Sequence, residues 1–226
     1  QPWRNGGGVT RELLAWSAGA AATQWQLRIS VARIDRDGPF SAYPGVERWF
    51  AVLQGNGVVL RLANRRLMLG AGSEPVRFAG AAAPDCGLLD GPTQDLNLMV
   101  RSDAGRGAML LARGGAEWVS TAWLRAVFTL EPATLQVDDS DAATLPAGTL
   151  AWCDGAGQQR LRRDVPLAMQ GSEHGDGELA LAAQQFRHPT AFDLQHFGQG
   201  GPVETFLLHA EGDGGDRVGR RDREMG

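Results

Sequence analysis

Lysine is missing from this 226-residue chain, and all 22 of its basic residues are arginine. Against 26 acidic residues they leave a net charge of −4, which argues against a general nucleic-acid binder, since that needs a basic face. Cysteine is nearly absent. Cys86 and Cys153 are too few for a disulfide framework and lack the C-x-x-C spacing of a zinc site, so they read as two buried thiols in a reducing compartment. Histidine occurs only at His174, His188, His196 and His209, without an H-x-H or H-x-x-x-H pair, so neither metal nor cofactor is expected. His188 and His196 differ by an even number, but Pro189 interrupts any strand that would present both on one face. No G-x-S-x-G elbow occurs and neither cysteine sits beside a histidine in a nucleophile motif, so no catalytic residue is assigned. No apolar run approaches the roughly 18–20 residues of a membrane span, and no signal-peptide pattern opens the chain. A cytoplasmic setting without a membrane partner is therefore expected.

What is present is strand periodicity. Residues 24–31 alternate, with Trp25, Leu27, Ile29 and Val31 on one side and Gln24, Gln26, Arg28 and Ser30 on the other. Asp35-Arg36-Asp37-Gly38-Pro39 is a turn signal, and the β-rich runs 48–53 and 57–62 read as a hairpin through Gln54-Gly55-Asn56. Short strands are expected at 66–69, 76–79, 86–89 and 95–100, then at 117–130, 135–137, 149–152, 178–186 and 203–209. Nothing of helical length shows a period of 3.6. Many short strands between frequent turns predict an all-β sandwich or barrel. Two β-rich stretches of similar content suggest two halves, roughly 1–105 and 115–210, within one domain spanning 1–210. Residues 211–226 are almost devoid of apolar side chains, so they read as a disordered tail.

Three segments carry candidate binding chemistry. Trp3-Arg4-Asn5-Gly6-Gly7-Gly8-Val9-Thr10-Arg11-Glu12 places an aromatic ring and two guanidiniums around three glycines, whose bare backbone either approaches a ligand or merely turns the chain. In 38–48, Phe40 and Tyr43 either wall a pocket or pack into the core, and Arg48 reaches in from a strand start. In 95–101, Asp95, Asn97, Met99 and Arg101 share one face, which meets water in an open sheet and lines the lumen in a barrel. Asp90, just before it, reads as the first residue of a turn.

Together these segments resemble the HutD/Ves family. Residues 3–12 are similar to its W-K/R-N-G-G-G-x-T-R-E opening, and Gly38-Pro39-Phe40-Ser41 through Pro44-Gly45 to Arg48 to its G-x-F-S-x-F/Y-P-G-x-x-R segment. Phe78-Ala79-Gly80, Asp90-Gly91-Pro92-Thr93 and Asp95-Leu96-Asn97-Leu98-Met99 resemble its F-x-G and D-G-P-T-x-D-x-N-x-M stretch. Where the family often has lysine, this chain has Arg4. The resemblance implies a cupin-like jelly roll, arranged as a bicupin of two β-barrel halves, and a metabolite-binding role in bacterial histidine utilisation with formylglutamate as the ligand. It carries Trp3, Arg4, Asn5, Gly7, Thr10, Arg11, Arg48, Asp95 and Asn97 over as ligand-binding positions, to which Phe40 is added as a pocket wall. Metal-binding cupins carry a histidine after a P-x-G turn; here Pro146-Ala147-Gly148 leads to Ala151 at that place.

Three functions follow. The first is a metal-free small-molecule binder that regulates by holding a small carboxylate between Arg48 and Arg4 or Arg11. The second is a metal-independent isomerase or hydrolase acting on a small carboxylate, with Asp95 or Glu12 as general base and a carboxyl pKa lowered by nearby arginines. The third is a protein-interaction module or homodimer, with Trp3 or Trp118 at its interface.

Overall fold

The computed structural model describes residues 1–3, 6–17, 24–113, 117–155, 158–164, 190–191 and 204–211. The first nine strands are β1 (Gly8–Trp16), β2 (Leu27–Ile34), β3 (Gly38–Pro39), β4 (Val46–Gln54), β5 (Val58–Leu62), β6 (Arg65–Leu69), β7 (Val76–Ala79), β8 (Asp85–Leu88) and β9 (Thr93–Arg101). They form a five-stranded sheet ordered β1-β2-β9-β4-β7 and a four-stranded sheet ordered β3-β8-β5-β6. The remaining strands are β10 (Arg106–Arg113), β11 (Glu117–Ser120), β12 (Leu124–Thr129), β13 (Ala133–Val137), β14 (Ala143–Leu145), β15 (Thr149–Asp154), β16 (Gln159–Asp164), β17 (Thr190–Ala191) and β18 (Glu204–Glu211). They build a second pair of sheets, β10-β18-β12-β15-β17 and β11-β16-β13-β14. Each ladder is antiparallel, and the only helical element among the described residues is one 3₁₀ turn at Gly80–Ala82. The architecture is all-β, two pairs of antiparallel sheets, as the turn spacing led one to expect.

Where the core lies decides what the strands can do. Leu27, Ile29, Val31, Leu96 and Leu98 pack against Leu124, Ala126, Phe128, Phe206 and Leu208, so the two five-stranded sheets meet through their apolar faces. A second cluster, with Ile34, Phe50, Val52, Leu60, Phe78 and Cys86, fills the space between the first two sheets. A third, with Val127, Leu135, Ala151, Cys153 and Leu161, fills the space between the last two. Strands β2, β9 and β4 are therefore covered on both faces, and Ser30, Asp95 and Asn97 are buried on the side opposite the leucines.

Three local expectations change. The runs around 48–53 and 57–62 are not a hairpin: β4 pairs with β7 and β9, whereas β5 pairs with β6 and β8. Gly55 and Gly57, at φ +97° and +105°, instead carry the chain from one sheet to the other. The aromatic-rich run 117–130 breaks into β11 and β12, which belong to different sheets; the Ala122 N–H donates to Ser120 Oγ at the break. The stretch 105–115, expected to separate the halves, carries β10, paired with β18 along its length. The expected strand at 178–186 lies outside the described residues, as does the tail from 212 onward. Both cysteines are buried thiols outside any disulfide, as their scarcity suggested.

Candidate functional site

The inner face of the first five-stranded sheet is built in rows. Antiparallel register sets Arg28 (β2), Met99 (β9), Arg48 (β4) and Phe78 (β7) side by side. The next row inward holds Ser30, Asn97 and Phe50, and the one after it Ala32, Asp95 and Val52. Because the opposite face is sealed by the second half of the molecule, this alternating polar face turns into the barrel interior instead of into water. A cavity of about 520 Å³ opens there, within the usual range for small-ligand pockets. Trp3, Thr10, Arg28, Ser30, Phe40, Tyr43, Arg48, Asn97 and Met99 are among its lining residues.

Arg48 is the centre of this arrangement. Its side chain is buried, with the guanidinium carbon 5.0 Å from the Phe40 ring centre, 5.2 Å from Phe78 and 5.8 Å from Tyr43. Three rings around one cation hold it by its faces and leave its edge for hydrogen bonds. Nη2 donates to Asn97 Oδ1 at 2.8 Å, while Nε is buried without a partner. No carboxylate among the described residues lies within ion-pair distance of Arg48. Burial pushes its pKa down to about 10, so the group remains a cation at neutral pH. A buried cation beside an open cavity and without a counter-ion is an anion receptor in waiting.

The opening segment forms one wall. The Trp3 indole N–H donates to Thr10 Oγ1 at 2.7 Å, and the Trp3 ring meets the Phe40 ring edge-on at 6.4 Å. The glycines do not line the cavity; they turn the chain into β1. A Cβ on Gly8 would stand 2.2 Å from the Arg33 carbonyl oxygen, and the Gly7 carbonyl accepts the N–H groups of Asp35 and Arg36. Gly6 has φ +66°, in the left-handed region.

Of the positions expected to bind ligand, Trp3, Thr10, Phe40, Arg48 and Asn97 come together around the cavity. Gly7 serves the backbone turn just described. Arg11 is exposed and does not line the cavity, so it does not converge with Arg48. Arg4 and Asn5 lie outside the described residues. Asp95 lies one row beneath the lining and is fully buried, with Thr93 Oγ1 3.3 Å from Oδ2 and with Oδ1 unpartnered. Its carboxyl pKa is not lowered by arginines but raised well above the ordinary value, because desolvation outweighs the Thr93 hydrogen bond. Arg101, at the far end of the same face, pairs with exposed Asp103 instead of reaching the cavity. Burial likewise pushes the Cys86 thiol up to about 12, with Asp95, Asp37 and Asp85 adding to it, so it is no thiolate nucleophile.

Met99 lines the cavity as the lumen-facing alternative for its strand has it, whereas Arg28 and Ser30 join the lining from outside the candidate segments. Arg28 and Ser30 were assigned to the polar face of an alternating strand, but that face continues into Ala32 and Ile34. A polar face that becomes apolar midway was the available signal that it points inward. Among the described residues no three of His, Cys, Asp or Glu gather to hold a metal ion, and no helix is long and apolar enough to cross a membrane. His174, His188 and His196 lie outside the described residues.

Known proteins resemble this chain in sequence and in fold. The family model HutD matches residues 1–169. Protein Ves of Citrobacter koseri is 35% identical over 132 residues, covering 54% of this chain and 68% of that protein. An uncharacterised 21.2 kDa protein in the hutC 3′ region of Pseudomonas putida is 36% identical over 104 residues, covering 43% of this chain and 51% of its own length. Among solved structures, HutD from Pseudomonas fluorescens SBW25, in a formate condition, superposes with a TM-score of 0.68 at 23% identity, covering 95% of this chain and 94% of that one. Protein PA5104 of Pseudomonas aeruginosa PAO1 also superposes at 0.68, with 22% identity and coverage of 94% and 93%.

Proposed function

The chain belongs to the HutD family, and from that premise we propose that it is a metal-free cupin-type protein that binds a small carboxylate metabolite in the cavity around Arg48. The observation that carries the reading is the buried, counter-ion-free guanidinium of Arg48, fixed by Asn97 and three aromatic rings and facing a 520 Å³ cavity. A ligand carboxylate would meet the unused donors of Arg48 in a desolvated setting, where charge-assisted bonds contribute about 1.5–3 kcal/mol each. Formylglutamate is the candidate ligand, and regulation of histidine utilisation the candidate role. The role is supported by the family and by the hutC neighbourhood of the P. putida relative, and the ligand follows from the family resemblance alone.

Nothing favours the enzyme reading to the same degree. Asp95 sits beneath the cavity lining, and Glu12 is ion-paired with Arg28 at 2.8 Å. Calorimetric titration with histidine, urocanate, formiminoglutamate, formylglutamate and glutamate tests the proposal. Saturable binding of one of these carboxylates, lost in Arg48→Ala, is the expected result. Equal binding by Arg48→Ala would remove the site, and silence toward all five would remove the pathway ligand.

A further inference from the structure

The cavity holds a second arginine in a different state. Arg28 shares a row with Arg48, one strand to either side of Met99, and both line the cavity. Two strand spacings of about 4.8 Å separate their backbones, so their long side chains flank a short ligand from opposite sides. The two differ in their counter-ions. Arg48 has none among the described residues, whereas Arg28 Nε lies 2.8 Å from Glu12 Oε2. That contact is close but poorly aligned, because the buried Nε makes no hydrogen bond. The Glu12 side chain is 47% exposed and that of Arg28 only 16%. Glu12 can therefore swing into water at little cost, as expected for a half-exposed ion pair, while Arg28 stays where it is.

Resting on the reading that Arg48 binds a carboxylate, we propose that Arg28 is a second anion-binding position masked by Glu12, and that this pair makes the site selective for dicarboxylates over monocarboxylates. Charge counting supports it. Arg28, Arg48 and Glu12 leave a net +1 in the free site, which one carboxylate neutralises with Glu12 in place. A second ligand carboxylate replaces Glu12 at Arg28, and the released Glu12 is resolvated. Volume supports it too, since one carboxylate group on Arg48 leaves most of the 520 Å³ unfilled, and Ser30 and Arg28 line the same cavity. Glu12 thus acts as an internal competitor: it satisfies Arg28 in the free protein and sets the threshold a second carboxylate must exceed.

The test is titration of butyrate and glutarate, which differ by the second carboxylate, into the parent protein, Arg28→Gln, Glu12→Gln and Arg48→Ala. Glutarate should bind the parent at least tenfold tighter than butyrate. Arg28→Gln should abolish that preference, weakening glutarate at least tenfold more than butyrate. Glu12→Gln, a change at a half-exposed position, should tighten glutarate severalfold and butyrate less. Equal weakening of both ligands by Arg28→Gln would make Arg28 structural and overturn the proposal, as would glutarate binding no tighter than butyrate. Should Arg28→Gln not fold, the Glu12→Gln arm decides, and an unchanged glutarate affinity overturns the masking. Failure of the underlying reading looks different: neither ligand binds the parent, or Arg48→Ala binds both normally, and the proposal falls with it.

Discussion

Among the described residues, each half of the molecule buries one arginine in its interior, and the two have different surroundings. Arg125, in β12, is 2% exposed; it donates to the Gly155 carbonyl at 3.2 Å and hydrogen-bonds the Cys153 thiol, its register neighbour on β15. Val127, Leu135, Ala151 and Leu161 pack around that face. Arg48 is 7% exposed, yet its one hydrogen bond goes to a side chain, Asn97, and the rest of its edge faces a cavity. Both guanidiniums have been taken out of water at considerable cost. In the second half, backbone and thiol partners offset that cost and tie β12 to β15. In the first half the cost remains partly uncompensated, which is the condition under which an anionic ligand gains the most. Burial of a charge therefore does not by itself mark a site; unspent donors beside open volume do.

The comparison breaks most sharply if the two residues are exchanged for methionine, which keeps an unbranched apolar stem and removes the charged head. Arg48→Met should weaken carboxylate binding by roughly 100-fold or more, from the loss of two charge-assisted bonds. Folding stability should stay unchanged or rise by ~1–2 kcal/mol, because removing an uncompensated buried cation relieves desolvation. Arg125→Met should do the reverse, lowering stability by about 2–4 kcal/mol through the lost ties to Gly155 and Cys153, with ligand affinity of the folded protein intact. Calorimetry paired with thermal unfolding reads both quantities on each variant. Stability loss in Arg48→Met with binding retained would show that the first arginine is also a structural tie.

How far the sequence revealed this difference depends on the element. The all-β class was legible because turns interrupt period-2 runs throughout, and Arg48, Asn97 and Phe40 were legible through their motifs. The sequence did not show that β2, β9 and β4 are buried on both faces, because that depends on the second half packing against the first through Leu124, Phe128 and Phe206. Without that contact, Arg28 and Ser30 read as a solvent face. The same ignorance produced the false hairpin: local glycines announce a turn, but only the sheet partners, β7 and β9 for β4, decide which strand comes next. Asp95 was misread for a related reason. Proximity to arginines in a motif suggested a lowered pKa, whereas the row structure places it between Ala32 and Val52, below the guanidiniums and away from water.

Asp95 gives the smallest and most discriminating effect, because it decides whether Arg48 has a hidden counter-ion. If Asp95 were the ionised partner of Arg48, its folded pKa would lie below the unfolded value, and stability would be lost as pH falls. The raised pKa gives the other sign. The folded protein then holds a proton that the unfolded chain releases, so Asp95 contributes its full stability below the unfolded pKa of about 3.9. That contribution declines as pH rises from there toward the folded pKa, with a slope of at most about 1.4 kcal/mol per pH unit. Asp95→Asn keeps the shape and stays neutral at every pH. It should flatten this part of the stability–pH profile and raise the unfolding temperature at pH 7 above that of the parent, while carboxylate affinity changes by less than about threefold. Urea unfolding of parent and variant from pH 4 to pH 8 measures the slope directly. A parent that gains stability across that range through Asp95 would make the Asp95 carboxylate the counter-ion of Arg48. The contrast between a compensated Arg125 and an uncompensated Arg48 would then collapse.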